Sequence, residues 1–154
     1  MTSRVDKRGV MTVVFDDSIE GFDVKATRVY TMNEAGTFFG IHYRPVGDHL
    51  NRLAAVVQGR GMDYLIDLRE DSPTYLKWEK IELTGDNLLS VLIPAGIGHA
   101  FLALTNNTVM AYSMDRCGEA ASVSVLNYRE ERIGLTTDIP VKVIADYDAN
   151  APFL

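Results

Sequence analysis

Short runs rich in Val, Ile, Leu, Tyr and Phe recur along the whole chain, and Gly, Asn, Asp and Pro separate them. This punctuation restricts the fold more than any other feature. Runs of this length are too short for most helices, and their β-branched and aromatic content suits a pleated, half-buried surface. Many such runs closed by turn residues predict an all-β sandwich or barrel. Strands are expected over 10–15, 24–31, 37–44, 52–57, 62–68, 78–83, 88–93, 99–104, 108–114 and 123–128, with a further apolar run over 141–144. A short C-terminal tail should form one helical turn or pack across the sandwich. With 154 residues and no linker or repeat, residues 1–154 form one domain around one sizeable core.

Two strand pairs have readable turns. Residues 52–57 and 62–68 flank Gln58-Gly59-Arg60-Gly61 and predict a hairpin that sets Arg52, Asp63 and Asp67 on one face. Its other face, Met62, Tyr64, Ile66 and Leu68, is apolar and suits the core or a subunit contact. Residues 99–104 and 108–114 flank Asn106-Asn107 and predict a second hairpin, with His99 and Tyr112 sharing a face. Arg129-Glu130-Glu131-Arg132 reads as exposed.

Charge narrows the function. A net charge of −6 and a pI near 5.0 argue against a general binder of nucleic acid or anionic membranes. No apolar stretch is long enough to span a membrane, and no long apolar run follows the charged residues near the start, so a cytoplasmic protein is expected. The single cysteine, Cys117, excludes an intrachain disulfide and is a poor candidate nucleophile, since no histidine lies near it in sequence.

Chemistry centres on Gly40-Ile41-His42-Tyr43-Arg44-Pro45, which holds one of three histidines. A histidine among apolar and aromatic neighbours is either a hydrogen-bonded core residue or a general base. His42, His49 and His99 are the possible metal ligands. Arg44, two residues beyond His42, would oppose a divalent cation, and His49 falls in a loop, so no metal is expected. The chain has no phosphate-binding Gly-rich loop of the P-loop type, no dinucleotide fingerprint and no Gly-x-Ser-x-Gly elbow. Metal-free acid–base chemistry stays open, and composition alone does not select it. Such chemistry needs a histidine base, a tyrosine acid, a carboxylate to orient the histidine and a cation for developing oxyanion charge.

Three ordered blocks carry a resemblance. They are Gly40-Ile41-His42-Tyr43; then Arg52 to Gly59 with Asp63-Tyr64-Leu65-Ile66-Asp67-Leu68-Arg69, Ser72-Pro73-Thr74 and Lys77-Trp78; then Ile93-Pro94-Ala95-Gly96-Ile97-Gly98-His99-Ala100-Phe101-Leu102, with Tyr112 thirteen residues after His99. Together they resemble the dTDP-4-dehydrorhamnose 3,5-epimerase family of nucleotide-sugar enzymes. The resemblance implies a cupin-type jelly roll and a homodimer paired through sheet edges. It implies a cofactor-independent epimerase acting at C3, C5 or both of a nucleotide-linked 4-keto-deoxy sugar. It places His42 as base, Asp148 as its carboxylate partner and Tyr112 as the acid on the opposite sugar face. It places Arg52 near the substrate oxygen, Asp63 as support for that cation and His99 along the site, and Arg44 is counted with this substrate-binding set.

The chain also departs from that family. Phe39 stands where the family has an arginine, Arg52 stands where it usually has a lysine, and the family's longer N-terminal region is short or unrecognisable. The alternatives are a keto-sugar 3,4-isomerase on the same fold, a non-catalytic sugar-nucleotide binding module, and a metal-dependent cupin enzyme.

Overall fold

Strand pairing follows the period-two alternation of the apolar runs. The computed structural model describes residues 3–15, 19–48, 50–115 and 123–154. Its strands are β1 (Ser3–Asp6), β2 (Gly9–Thr12), β3 (Ala26–Met32), β4 (Thr37–Tyr43), β5 (Arg52–Gln58), β6 (Arg60–Asp67), β7 (Trp78–Thr84), β8 (Ser90–Ile93), β9 (Ile97–Ala103), β10 (Thr108–Met114), β11 (Ser124–Val125) and β12 (Val143–Ile144). One short helix, α1, covers Asp146–Ala149. Strands β1 and β2 form a two-stranded sheet; a four-stranded sheet runs β3-β10-β5-β8; a further sheet runs β11-β4-β9-β6-β7, with β12 parallel to β4. The two large sheets pack as the expected jelly-roll sandwich.

Alternation gives each sheet two distinct faces. Met32, Ala54, Val56, Leu83, Val91, Ile93, Phe101, Ala103 and Met110 fill the space between the sheets. Each large side chain buried there stabilises the fold by roughly 1.5–3 kcal/mol. These residues cluster toward one end of the sandwich. At the other end the inward positions are Arg52, His42, His99 and Tyr112. The outer face of the longer sheet, including Phe38, Ile41, Met62, Tyr64, Ile66 and Leu102, is covered by Leu126, Ile133, Leu135, Ile139, Val141 and Ile144 from the last quarter of the chain. The Met62, Tyr64 and Ile66 face therefore packs under this chain's own C-terminal segment. The fully buried Tyr64 donates its hydroxyl to Asp138 (2.9 Å), and burial pushes its pKa well up.

Four expectations are corrected. Residues 52–57 and 62–68 do not form a hairpin, because β5 pairs with β8 and β10 while β6 pairs with β7 and β9. Likewise β9 pairs with β4 and β6, and β10 with β3 and β5. Both turns are corners that carry the chain from one sheet to the other. At the first, Gly59 has φ +77, and a Cβ there would lie 2.8 Å from the hydroxyls of Thr105 and Thr108. Glu130, read as exposed with its neighbours, is buried and accepts the backbone N–H groups of Arg132 and Leu154. The first strand also ends early, at Thr12, and pairs with a strand the sequence reading missed, β1. The readings of His49 and Cys117 lie outside the described residues.

Candidate active site

A bulge in β4 decides where His42 points. Phe38 pairs with Leu102 and Phe39 with Phe101, but the next pair is His42 with His99, so Gly40 and Ile41 together oppose one residue of β9. Without the extra residue, alternation from the inward Phe39 would turn His42 outward. With it, Ile41 joins the outer apolar cluster and His42 turns inward. Gly40 has φ +107, and a Cβ on it would sit 2.5 Å from the His99 carbonyl oxygen, so glycine alone fits there.

The tail supplies the partner. Asp148 on α1 lies 2.7 Å from His42 Nε2, and its other oxygen accepts the Gly40 N–H at 3.1 Å. The carboxylate is fully buried, while the His42 side chain stays 22% exposed toward the mouth of the sandwich. An Nε2–H donated to Asp148 leaves Nδ1 of His42 as the basic lone pair. Tyr147, the residue before Asp148, stacks on the His42 ring at 5.8 Å between centroids.

Across the interior stands a second group. Arg52 is buried, and its two terminal nitrogens donate to the carbonyls of His42 (3.2 Å) and Ile97 (2.8 Å). Asp63, fully buried, pairs with His99 Nε2 at 2.8 Å. The His99 ring in turn stacks on Tyr112 at 5.9 Å. Burial raises the Tyr112 pKa, and the nearby Arg52 charge pulls it partly back. Tyr112 is thus a neutral hydroxyl at ordinary pH beside a fixed cation. Two buried polar atoms, Arg52 Nε and Asp63 Oδ1, have no hydrogen-bond partner among the described residues. Such atoms are rare in folded proteins and fit a site built to meet a polar ligand.

The structure therefore gathers His42, Asp148, Arg52, Asp63, His99 and Tyr112 at one end of the sandwich. Arg52 and Asp63 reach it from opposite sheets, and so do His99 and Tyr112, rather than along shared hairpin faces. Arg44 is buried just beyond β4 and lies 3.5 Å from Asp48. Asp67, read as a face-mate of Arg52, instead accepts hydrogen bonds from Arg69, Ser72 and Thr74. The Arg69 guanidinium, helped by the two hydroxyls, holds its carboxyl far below the usual range. Sequence reasoning missed three features: Tyr147 over His42, Tyr30 edge-on to both Phe39 (5.3 Å) and Tyr112 (6.2 Å), and the Gly40 N–H as an anchor for Asp148. Only the last had a signal, the glycine two residues before the histidine. Among the described residues no cluster of three or more His, Cys, Asp or Glu side chains could hold a metal ion. No helix among them is long and apolar enough to cross a membrane.

Comparison with known proteins gives a consistent picture. The family model described as dTDP-4-dehydrorhamnose 3,5-epimerase matches residues 1–154. A dTDP-4-dehydrorhamnose 3,5-epimerase of Mycolicibacterium smegmatis is 29% identical over 98% of this chain and 77% of its own length. A dTDP-4-dehydro-6-deoxyglucose 3-epimerase of Streptomyces bikiniensis is 28% identical over 87% of this chain and 69% of its own. Among solved structures, dTDP-4-dehydrorhamnose 3,5-epimerase from Bacillus anthracis with TDP and PPi bound superposes with a TM-score of 0.91 at 26% identity, covering 99% of this chain and 90% of that one. A 3'-monoepimerase from Streptomyces bikiniensis in complex with dTDP-quinovose superposes with a TM-score of 0.88 at 27% identity, covering 99% and 80%.

Proposed function

The chain belongs to the dTDP-4-dehydrorhamnose 3,5-epimerase family and is an isomerase-class enzyme, and we propose that it inverts C3, C5 or both of a dTDP-linked 4-keto-6-deoxy sugar without a cofactor. The observation that carries the mechanism is the His42–Asp148 pair, made by residues 106 apart in sequence and facing Tyr112 beside Arg52.

A ketone at C4 acidifies the protons on C3 and C5, because their loss leaves an enolate on the C4 oxygen. His42 takes the proton through its free ring nitrogen. Asp148 fixes the tautomer and stabilises the imidazolium that results, and the Gly40 N–H holds the carboxylate in place. The Arg52 cation, with an uncommitted Nε, stabilises the enolate oxygen. Tyr112 returns a proton from the opposite face, and the centre is inverted. The two groups differ as such a step requires: a hydrogen-bonded imidazole that can charge, and a phenol whose burial keeps it protonated. His99 and Asp63 support the tyrosine and the cation from behind.

We assign the assembly as a homodimer through the β1–β2 hairpin and the open edge of β3. Val5, Val10, Met11 and Val29 leave 58–77% of their surface exposed there, more apolar area than an isolated edge tolerates well. Sedimentation at falling concentration checks this, and a monomer at micromolar protein would refute it.

The reaction is tested by incubating the protein in D₂O with dTDP-linked 4-keto-6-deoxy sugars and following C3 and C5 by NMR. Deuterium entering either carbon, and lost in His42→Ala, supports the assignment, and its position names the centre inverted. No exchange at either carbon refutes it.

A further inference from the structure

The proposed substrate carries an anionic diphosphate, and the chain's net charge is −6. Asp148 and Asp63 add negative charge inside the site itself. Something cationic has to receive the diphosphate at the mouth. The inward cations already described are committed. Both terminal nitrogens of Arg52 hold backbone carbonyls deep in the sandwich. Arg44 is buried against Asp48. At position 39 the family's arginine is replaced by a phenylalanine, whose ring packs edge-on against Tyr30.

One arginine at this end is placed differently. Arg28 lies on β3, directly across from Tyr112 in the β3–β10 ladder. Alternation puts it on the same strand face as Tyr30 and Met32, which pack into the interior core. The opposite face carries Thr27, which hydrogen-bonds Ser113. Arg28 is exposed, and among the described residues no carboxylate or carbonyl holds it. Its Cα is about 5 Å from that of Tyr112, so an extended guanidinium reaches across the rim of the sandwich.

We infer that Arg28 is the residue that docks the substrate's diphosphate. A guanidinium suits the task, since its planar fork grips two phosphate oxygens at once and stays charged at every working pH. Its place beside Tyr112 fixes the polarity of binding: diphosphate at the β3 rim, sugar between His42 and Tyr112. This inference rests on the proposed epimerase reaction and goes further by assigning specificity to a residue that takes no part in proton transfer.

The test pairs binding with turnover. Calorimetric titration with dTDP, and separately with thymidine, is run on the wild type, Arg28→Ala, Arg28→Lys and Arg60→Ala. Arg60→Ala removes an exposed charge at the far end of the sandwich and controls for net charge. Arg28→Ala should weaken dTDP binding about 10- to 100-fold and leave thymidine binding unchanged. Arg28→Lys should fall between, and Arg60→Ala should match the wild type. On the keto-sugar substrate, KM should rise by a similar factor while kcat stays within about twofold. Wild-type dTDP affinity in Arg28→Ala overturns the inference while leaving the epimerase assignment standing. So does an equal loss for dTDP and thymidine, which would mark a role outside phosphate binding. A wild-type protein that neither binds dTDP nor exchanges deuterium overturns the epimerase assignment, and this inference with it.

Discussion

At the scale of single residues, the site is a set of pairs, each with its own test. Removing the base in His42→Ala should cut exchange by about 100- to 10,000-fold. Asp148→Asn should cost nearly as much, because an amide cannot stabilise the imidazolium. Tyr112→Phe separates the half-reactions: deuterium should still wash into substrate while product formation falls at least about 100-fold. Equal loss of both would remove Tyr112 from the acid's role. Asp67 is tested by stability. Its pKa is depressed in the fold, so its contribution is complete above the unfolded value near 3.9 and is lost as pH falls below that value toward the folded one. Asp67→Asn should lower stability at pH 7 by about 2 kcal/mol and flatten the acid limb of the Tm-against-pH curve. An unchanged acid limb would contradict the ladder of donors seen around Asp67. Apart from Asp148 in the tail, the residues gathered at this site lie in the three ordered sequence blocks, whereas their pairings were not legible. Nothing local joins Asp148 to His42 or Asp63 to His99, since those contacts exist only once three separate strands and a tail converge.

At the scale of elements, the strands were legible because alternation and turn residues are local signals. The partners were not. Gln58-Gly59-Arg60-Gly61 and Asn106-Asn107 carry the composition of hairpin turns, and a corner between two sheets uses the same residues for the same reason, a need for positive φ and little bulk. The β4 bulge was equally hidden, although Gly40 marks it. Two glycines separate its role from mere packing. Gly61→Ala would push a Cβ to 1.9 Å from the Phe101 ring, on the inner face away from the His42–Asp148 pair. Gly40→Ala would meet the β9 backbone and force the bulge itself to move. Each should cost at least about 2 kcal/mol. The folded fraction of Gly61→Ala should keep near-normal exchange per molecule. That of Gly40→Ala should lose it, since His42 and the N–H that anchors Asp148 shift together. Chemical denaturation combined with exchange on the folded fraction reads the difference, and full specific activity in Gly40→Ala would mean that the bulge does not set the direction of His42.

At the scale of the whole molecule, one segment does two jobs. The chain after β11 lies across the outer face of the longer sheet, burying Leu126 and Ile133 against Phe38 and Tyr64. It ends by delivering Asp148 through the sheet's edge to the inner face of β4. Closure of the outer core and completion of the proposed base are therefore the last steps of one event. The two can still be divided, because the apolar cover stops at Ile144 while the carboxylate lies beyond it. Deleting residues 145–154 removes α1, Asp148, the buried Ala151 and the tail's hydrogen bonds to Asn127 and Glu130, and leaves the apolar side chains of the cover. The shortened protein should still unfold in one cooperative transition, with a Tm lower by about 5–10 °C for a loss of roughly 2–3 kcal/mol. Its deuterium exchange should fall to the level of Asp148→Asn. Exchange that survives the deletion would show that His42 works without its carboxylate. A protein that no longer folds would show that the tail closes the outer core more than its few apolar side chains account for. Calorimetry and NMR on one sample distinguish the three outcomes, because loss of the proposed base and loss of the fold leave different traces.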